Sequence, residues 1–253
     1  MIIGIILSRY AAERLPGKPL IKIKGKPIIQ RVFEQAKQVK SLSMVVVATD
    51  DERIAKVISD LNGMAIMTRK DHISGTDRCW EAYQHLVSQK FIVPDALNYI
   101  INIQGDEPFI EPAQIDELAA TLNGSIELAT QICLIESPDI LKNINEVKVT
   151  VDNNGNALYF SRNPIPYIYQ VTQEEWPIHH KYFKHIGLYA YRSDILSKIV
   201  QLPPSTLELS ESLEQLRWLE AGFKIKAKLT TYQPQDVNTE EDLMKIINKI
   251  NIS

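Results

Sequence analysis

This 253-residue chain has few cysteines and no large excess of charge of either sign. It has only two cysteines, Cys79 and Cys133, and they form no C-x-x-C pair, so neither a disulfide framework nor a thiol-rich metal site is indicated. This usage is typical of a reducing compartment, and we expect a cytoplasmic protein. Lysine and arginine total 28 against 31 acidic residues, and a formal net charge of -3 argues against a nucleic-acid partner.

Long hydrophobic runs, linkers and nucleotide-binding loops of the common kinds are also lacking. No apolar run approaches the ~18 residues that cross a bilayer, so we expect no membrane segment, and we interpret Met1 to Leu7 as a buried strand. No Gly/Ser linker or internal repeat divides the chain, which predicts one domain over residues 1–253. Neither G-x-x-x-x-G-K-[ST] nor G-x-G-x-x-G occurs, so a P-loop ATPase and a dinucleotide dehydrogenase lose their main support.

The chain does contain a regular alternation of apolar patterns in its first half. Continuous runs rich in β-branched residues are typical of strands buried on both faces, and apolar residues recurring every three or four positions predict helices. We predict strands at residues 2–7, 44–49, 64–68 and 100–103 and helices at 27–39, 54–61 and 77–86. Right-handed crossovers between such elements build an open, mostly parallel α/β sheet, a Rossmann-like three-layer arrangement with helices on both faces. Its carboxyl edge, where such sheets bind ligands, should gather Ser8, Thr49, Asp50, Gln104 and Asp106.

The second half has a different pattern, which favours a smaller mixed or antiparallel sheet with a lid-like position. Shorter strands are separated by turns such as Asn153-Asn154-Gly155-Asn156. We predict strands at residues 126–133, 147–151 and 185–191 and helices at 193–200, 210–221 and 240–251.

The loop after the first strand carries three cations, Arg9, Arg14 and Lys18, on one connection at the carboxyl edge. Fixed cations and backbone amides near Gly17 could cradle a triphosphate, because phosphate charge is stabilised by positioned donors. A solvated basic loop is the alternative that this stretch alone leaves open.

Several segments in register then carry a family resemblance over nearly the whole chain. They are residues 8–20 (SRYAAERLPGKPL), 46–54 (VVATDDERI), 74–78 (SGTDR), 102–108 (NIQGDEP), 159–166 (YFSRNPIP), 185–191 (HIGLYAY) and 213–217 (LEQLR). In order and spacing they resemble the 3-deoxy-manno-octulosonate cytidylyltransferases, or CMP-KDO synthetases. The resemblance implies a nucleotide-diphospho-sugar transferase-like fold, a homodimer, and a reaction that joins CTP to the anomeric hydroxyl of an acidic eight-carbon sugar, KDO. It releases pyrophosphate and gives CMP-KDO for lipopolysaccharide assembly.

The resemblance also implies roles for individual residues and a Mg²⁺ cofactor. Catalytic roles fall to Arg14, Lys18 and Asp106. Nucleotide contacts fall to Arg9, Arg14, Lys18, Ser74, Gly75, Arg78 and Gln104. Sugar contacts fall to Gln104, Arg162, His185, Tyr189, Glu211, Glu214 and Gln215. Metal ligation falls to Asp106 and, at a position where the family carries Asp, to Asn238. Magnesium suits such a site because it takes oxygen ligands and usually keeps waters and substrate phosphates in its shell.

Some residues in these segments also have a plain structural explanation. Asp106 could end a turn, Thr76 or Asp77 could only cap the helix that follows, and His185 could be an ordinary strand histidine. Glu214 could lie on the surface of an amphipathic helix.

Three departures from the family pattern lie near the expected site. The family usually reads Pro-Ala where this chain has Leu7-Ser8, and a small hydroxyl residue where it has Glu13. Asn238 replaces a charged metal ligand, which should lower metal affinity. The alternatives are therefore activation of a related acidic sugar, such as an 8-amino analogue or another ulosonate, and a non-catalytic paralogue that binds nucleotide.

Overall fold

The computed structural model describes residues 1–11, 15–93 and 97–233, and these fall into two compact units, residues 1–119 and residues 120–233. Each unit contains strands and helices of its own. One domain over residues 1–253 stays a prediction. Among the residues described, none of the helices combines the length and apolar character needed to cross a membrane.

The first unit is built on a parallel sheet in the strand order β6-β1-β4-β5. Its strands are β1 (Ile2–Ser8), β4 (Met44–Thr49), β5 (Met64–Met67) and β6 (Tyr99–Gln104), and a small separate hairpin pairs β2 (Lys22–Ile23) with β3 (Lys26–Pro27). Strand β1 lies between two partners, and its Ile3, Ile5 and Ile6 are fully buried. A strand enclosed in this way needs apolar residues at every position, which explains the continuous run at the start of the sequence.

The helices of this unit follow their strands as expected for a parallel sheet. They are α1 (Ile28–Ala36), α2 (Glu52–Asp60), α3 (Gly75–Ser88) and α4 (Pro112–Ala119). The predicted strands and first three helices are confirmed with small shifts: α1 ends before Val39, and α3 begins at Gly75 rather than Asp77. Helix α4 was not predicted, and the loop predicted after β1 contains a short 3-10 helix, Lys18–Leu20.

The second unit holds a mixed sheet in the order β11-β7-β10-β8-β9. Its strands are β7 (Leu128–Ile135), β8 (Lys148–Val151), β9 (Ala157–Ser161), β10 (Tyr182–Arg192) and β11 (Ile225–Leu229). The β7–β11 pair is parallel, and the β7–β10, β10–β8 and β8–β9 pairs are antiparallel. The expectation of a mixed sheet in this half is confirmed, although β9 and β11 were not predicted as strands.

The helices of the second unit are short, and one prediction about them is wrong. They are α5 (Pro138–Lys142), α6 (Trp176–His179), α7 (Ser193–Ile199), α8 (Thr206–Glu211) and α9 (Gln215–Glu220). The single helix predicted over residues 210–221 is two helices, because Ser212 takes a left-handed conformation with φ 51° and ends α8. The helix predicted over residues 240–251 lies outside the described residues.

Candidate active site

The carboxyl edge of the parallel sheet brings together the strand ends that the sequence pattern predicted. Leu7 pairs with Ala48 on one side and with Gln104 on the other, and Ser8 pairs with Thr49. Parallel strands in this register all end on the same side, so the residues that follow them share one surface.

A glycine turn after β6 sets the position of Asp106. The Gly105 backbone N–H donates to the Leu7 carbonyl oxygen at 3.0 Å. A Cβ atom at residue 105 would lie 2.3 Å from that carbonyl oxygen, so only glycine permits this close approach. The turn therefore holds Asp106 against the end of β1.

Lys18 reaches the same point from the loop after β1. Gly17, with φ 72°, precedes the 3-10 helix that begins at Lys18, and the Gly17 backbone N–H donates to the Tyr10 carbonyl at 2.9 Å, which closes the loop on itself. The Lys18 stem is buried, and its Nζ donates to Asp106 Oδ2 at 2.6 Å. The lysine side chain is 8% exposed and the aspartate side chain 35%. A cation and a carboxylate 88 residues apart in sequence thus meet at the carboxyl edge.

Arg78 is fully buried beneath this surface and has protein partners. Its Nη2 donates to Asp50 Oδ2 at 3.3 Å, and its Nη1 donates to Thr68 Oγ1, which in turn donates to the Thr49 carbonyl oxygen at 3.1 Å. Burial lowers the pKa of the guanidinium, and the neighbouring Asp50 charge opposes that shift. Arg78 therefore ties the ends of β4 and β5 to α3, and its expected contact with cytosine stays a prediction.

Ser74 and Gly75 begin helix α3. Ser74 Oγ accepts from the Asp77 backbone N–H at 3.1 Å, and Asp77 Oδ2 accepts from the Ser74 backbone N–H at 3.2 Å, which is a complete capping box. A Cβ at Gly75 would lie 2.9 Å from the Leu7 side chain. Helix capping, the structural role considered for Thr76 or Asp77, is therefore carried out by Ser74 together with Asp77.

The remaining residues expected to contact the nucleotide are Arg9, Arg14 and Gln104. Arg9 follows β1 and is exposed, and Gln104 ends β6 at the carboxyl edge. Arg14 and Glu13 lie outside the described residues.

The metal expectation rests on Asp106. Its carboxylate offers hard oxygen atoms at a partly exposed position, which fits Mg²⁺ held by one carboxylate together with substrate phosphates. Across residues 1–11, 15–93 and 97–233, no three His, Cys, Asp or Glu side chains form a group that could hold a metal by themselves. Asn238, the second expected ligand, lies outside these ranges.

In the second unit, four residues form what we call the Arg162 network: Ser161, Arg162, Glu211 and Ser212. The Glu211 carboxylate accepts from Ser161 Oγ at 2.7 Å and from the Arg162 backbone N–H at 2.9 Å. The Arg162 guanidinium donates from Nε to the Glu211 carbonyl at 2.7 Å and from Nη2 to the Ser212 carbonyl at 3.3 Å. These bonds join the end of β9 to the end of α8, so two expected sugar contacts also hold this part of the fold together.

His185 lies on β10 beside a buried threonine. Its Nε2 is 3.0 Å from Thr130 Oγ1, and that hydroxyl is also within 3.0 Å of the Ile186 and Leu188 carbonyl oxygens. Thr130 has a single hydroxyl proton, so donation to a carbonyl leaves its oxygen to accept from His185. Burial lowers the pKa of His185 to about 3, which keeps the imidazole neutral at neutral pH.

The other expected sugar contacts lie on β10 and at the start of α9. Tyr189 is buried, with 7% of its surface exposed. Burial raises the pKa of that phenol, and the Tyr191 hydroxyl and the Glu214 charge raise it further. Glu214 immediately precedes α9, and Gln215, its first residue, is buried. The second unit thus brings these residues together on neighbouring elements, and their role toward a sugar stays a prediction.

Some contributors to this geometry could not be identified from the sequence. Thr68 directly follows β5 and Thr130 lies within β7, and no sequence spacing distinguishes either threonine. The Tyr10 ring lies under the Arg53 guanidinium, with 3.6 Å between the Arg53 Cζ atom and the ring centroid. A Cβ atom at Gly17 would lie 3.1 Å from the Tyr10 hydroxyl oxygen. A tyrosine next to Arg9 in a basic loop gives no sign of this packing.

Comparison with known proteins agrees with the arrangement. The cytidylyltransferase family model matches residues 3–226. The chain is 50% identical over 246 residues to the 3-deoxy-manno-octulosonate cytidylyltransferase of Cytophaga hutchinsonii, covering 97% of this chain and 96% of that protein. It is 48% identical over 250 residues to the protein of the same name from Parabacteroides distasonis, covering 97% and 96%.

A solved structure is similar over its full length. The structure of CMP:2-keto-3-deoxy-manno-octonic acid synthetase in complex with CTP superposes with a TM-score of 0.88 at 40% identity, over 99% of this chain and 98% of that one. The predicted fold class, an α/β protein with a mostly parallel sheet and a smaller mixed sheet, is thereby confirmed. With strand ends, loop cation and turn aspartate at one edge of that sheet, the chain belongs to the 3-deoxy-manno-octulosonate cytidylyltransferase family of nucleotidyltransferases.

Proposed function

We propose that the protein transfers the CMP group of CTP to the anomeric hydroxyl of KDO, giving CMP-KDO and pyrophosphate for lipopolysaccharide biosynthesis. The observation that carries the proposal is the Lys18–Asp106 pair, 2.6 Å apart at the carboxyl edge of the sheet. Family membership at 40 to 50% identity over nearly the full length supports the choice of CTP and of this sugar.

Lys18 supplies the positive charge that the reaction needs. The anomeric oxygen forms a bond to the α-phosphorus, the bond from that phosphorus to the bridging oxygen breaks, and the hydroxyl proton is lost to solvent or base. Negative charge grows on the phosphate oxygens and on the departing pyrophosphate, and a fixed ammonium stabilises both. Lys18 is suited to this task because its buried stem leaves the ammonium few alternative positions.

Asp106 is the residue that would hold Mg²⁺. A bound Mg²⁺ neutralises phosphate charge and orients the leaving group. Before substrate binds, Lys18 keeps the Asp106 carboxylate paired and in place at the end of the Gly105 turn. The incoming triphosphate offers the Lys18 ammonium a second anion, which frees the carboxylate for its ligand role.

The second unit supplies the groups expected for the acidic sugar. Three of the five Arg162 N–H groups donate to backbone carbonyls, which are neutral, so the guanidinium keeps its charge for a sugar carboxylate. His185 offers a neutral ring, which suits sugar hydroxyls. We place no general base in this set.

The decisive experiment is a pyrophosphate-release assay with Mg²⁺, comparing CTP with UTP and KDO with its 8-amino analogue and other ulosonic acids. We expect release with CTP and KDO, and much less with UTP. Preference for another ulosonic acid would replace KDO as the substrate while keeping the reaction. CTP binding without release from any sugar would instead support the nucleotide-binding paralogue, which Glu13 and Asn238 favour.

We also propose a cytoplasmic location, because both cysteines are buried and neither is in a disulfide. The homodimer that the family resemblance implies stays a prediction, and sedimentation of the purified protein would test it.

A further inference from the structure

Ser8 is a buried polar residue that is not among the expected catalytic, nucleotide, sugar or metal contacts. It ends β1 at the carboxyl edge and is only 3% exposed. Its hydroxyl has no hydrogen-bond partner among the residues that the structure describes. A buried hydroxyl without a partner costs free energy of folding, so native proteins keep few of them, and each calls for an explanation.

The position of Ser8 links it to the proposed nucleotide site. A Cβ at Gly105 would lie 3.3 Å from the Ser8 Cβ, so the Ser8 side chain is beside the turn that carries Asp106. Ser8 is also the register partner of the buried Thr49. Ser8 is therefore next to Gly105, the residue that precedes Asp106, and among the ends of the central strands.

The surroundings of the hydroxyl indicate which part of a nucleotide it meets. The Lys18 ammonium and the Asp106 carboxylate mark the place of the phosphates and their counter-ion. The neighbouring Thr49 is uncharged, and Asp50, which follows it, already accepts from Arg78 and from the Tyr10 backbone N–H. A neutral hydroxyl that can donate and accept matches ribose hydroxyls and base edges, which are neutral too.

We infer that Ser8 is a specificity-determining contact for the nucleoside part of CTP, with its hydroxyl completing its hydrogen bonding only when the nucleotide is bound. The inference rests on the proposed function, because it takes CTP as the ligand of the carboxyl edge. It goes beyond the family resemblance, since the family usually carries alanine at this position and a methyl group makes no such bond.

The test compares Ser8→Ala with Ser41→Ala in the full chain. Ser41 is the control: it is also a partly buried serine next to a strand of the same sheet, but it precedes β4 and so lies at the opposite edge of the parallel sheet. Calorimetry measures the Kd of Mg-CTP and of Mg-tripolyphosphate, which carries the phosphates without the nucleoside. Steady-state assays give KM and kcat, and thermal unfolding gives the Tm of the ligand-free protein.

For Ser8→Ala we expect the Kd and KM for CTP to rise about 3- to 10-fold, the loss of one neutral hydrogen bond, with kcat and the Kd of tripolyphosphate unchanged. The ligand-free Tm should rise by about 2–4 °C, because an unsatisfied hydroxyl has been removed. Ser41→Ala should leave both Kd values unchanged.

Three results would overturn the inference: an unchanged Kd for CTP, an equal loss for tripolyphosphate, or a lower Tm, which would reveal a structural partner for the hydroxyl. If the wild type binds and turns over CTP and Ser8→Ala behaves in the same way, the inference about Ser8 is wrong but the proposed function stands. Wild-type protein that does not bind CTP would defeat the proposed function as well.

Discussion

The two units hold their candidate residues in different ways. At the carboxyl edge of the first unit, Lys18 and Asp106 pair with each other, and Asp106 is about one-third exposed. In the Arg162 network of the second unit, Glu211 and Arg162 bond to backbone groups and to Ser161. An ion pair of two side chains can exchange partners when a charged ligand arrives, whereas bonds to backbone groups keep the chain in one conformation. We therefore expect substitutions at the Lys18–Asp106 pair to change activity with little change in stability, and substitutions in the Arg162 network to lower stability as well as sugar binding.

The largest effect should come from Asp106→Asn. Asparagine keeps an oxygen that accepts from Lys18 but has no charge for a metal, so we expect kcat/KM to fall about 1000-fold, or about 4 kcal/mol. The free energy of unfolding should change by about 1 kcal/mol or less, since the pair is partly exposed. Pyrophosphate release and thermal unfolding measure the two quantities.

The control is Asp60→Asn, the same change at an exposed residue of α2 paired with Lys56. It should leave kcat/KM unaltered. Activity of Asp106→Asn within about threefold of the wild type would remove Asp106 from the mechanism.

A smaller effect, on stability, is expected from Glu211→Gln. A glutamine amide can accept from only one of the two donors that the carboxylate now satisfies, so the Ser161 hydroxyl or the Arg162 N–H loses its partner. We expect a loss of about 2 kcal/mol and a Tm lower by about 4–8 °C, measured by thermal unfolding.

Glu174→Gln provides the comparison, because Glu174 pairs with Lys142 on the exposed surface of the same unit. It should change stability by less than about 0.5 kcal/mol. Equal Tm values for the two variants would show that Glu211 is not holding β9 to α8.

The smallest effect is a pH dependence at His185. Its pKa is about 3 in the folded protein against an ordinary 6.5, so the unfolded chain takes up a proton below pH 6.5 that the folded chain refuses. Stability is then highest above pH 6.5 and falls as the pH drops towards 3. Because His185 keeps some exposure, we expect a loss of about 1–2 kcal/mol between pH 7 and pH 5.

His185→Gln keeps an N–H group that can donate to Thr130, but its side chain does not titrate. The free energy of unfolding of this variant, measured in urea, should therefore fall less between pH 7 and pH 5 than that of the wild type. His179→Gln changes an exposed histidine at the end of α6 and should leave the pH dependence as it is. Parallel pH profiles for the wild type and His185→Gln would contradict burial of a neutral ring.

The part of the site that could be predicted is the part that follows from strand order. Lys18 and Asp106 are far apart in sequence, yet each follows a buried parallel strand, and such strands end at one edge. The contacts of Arg162 with Glu211 could not be predicted, because they depend on where α8 ends. That end is set by the left-handed Ser212, and a serine gives no sign of it in an apolar pattern that continues to residue 221.

The amino-acid sequence by itself determined the alternation of buried strands and amphipathic helices, and with it the edge at which charged residues gather, because hydrophobic periodicity and chain direction are local properties. Its motifs were also enough to indicate the family. Only the tertiary structure decided which polar groups use their bonds within the protein, as Arg78 and Glu211 do, and which keep a bond to offer, as the Ser8 hydroxyl does. Whether two polar groups form a hydrogen bond depends on differences of a few tenths of an ångström in the distance between residues remote in sequence. Such differences cannot be read from the pattern of residue types along the chain.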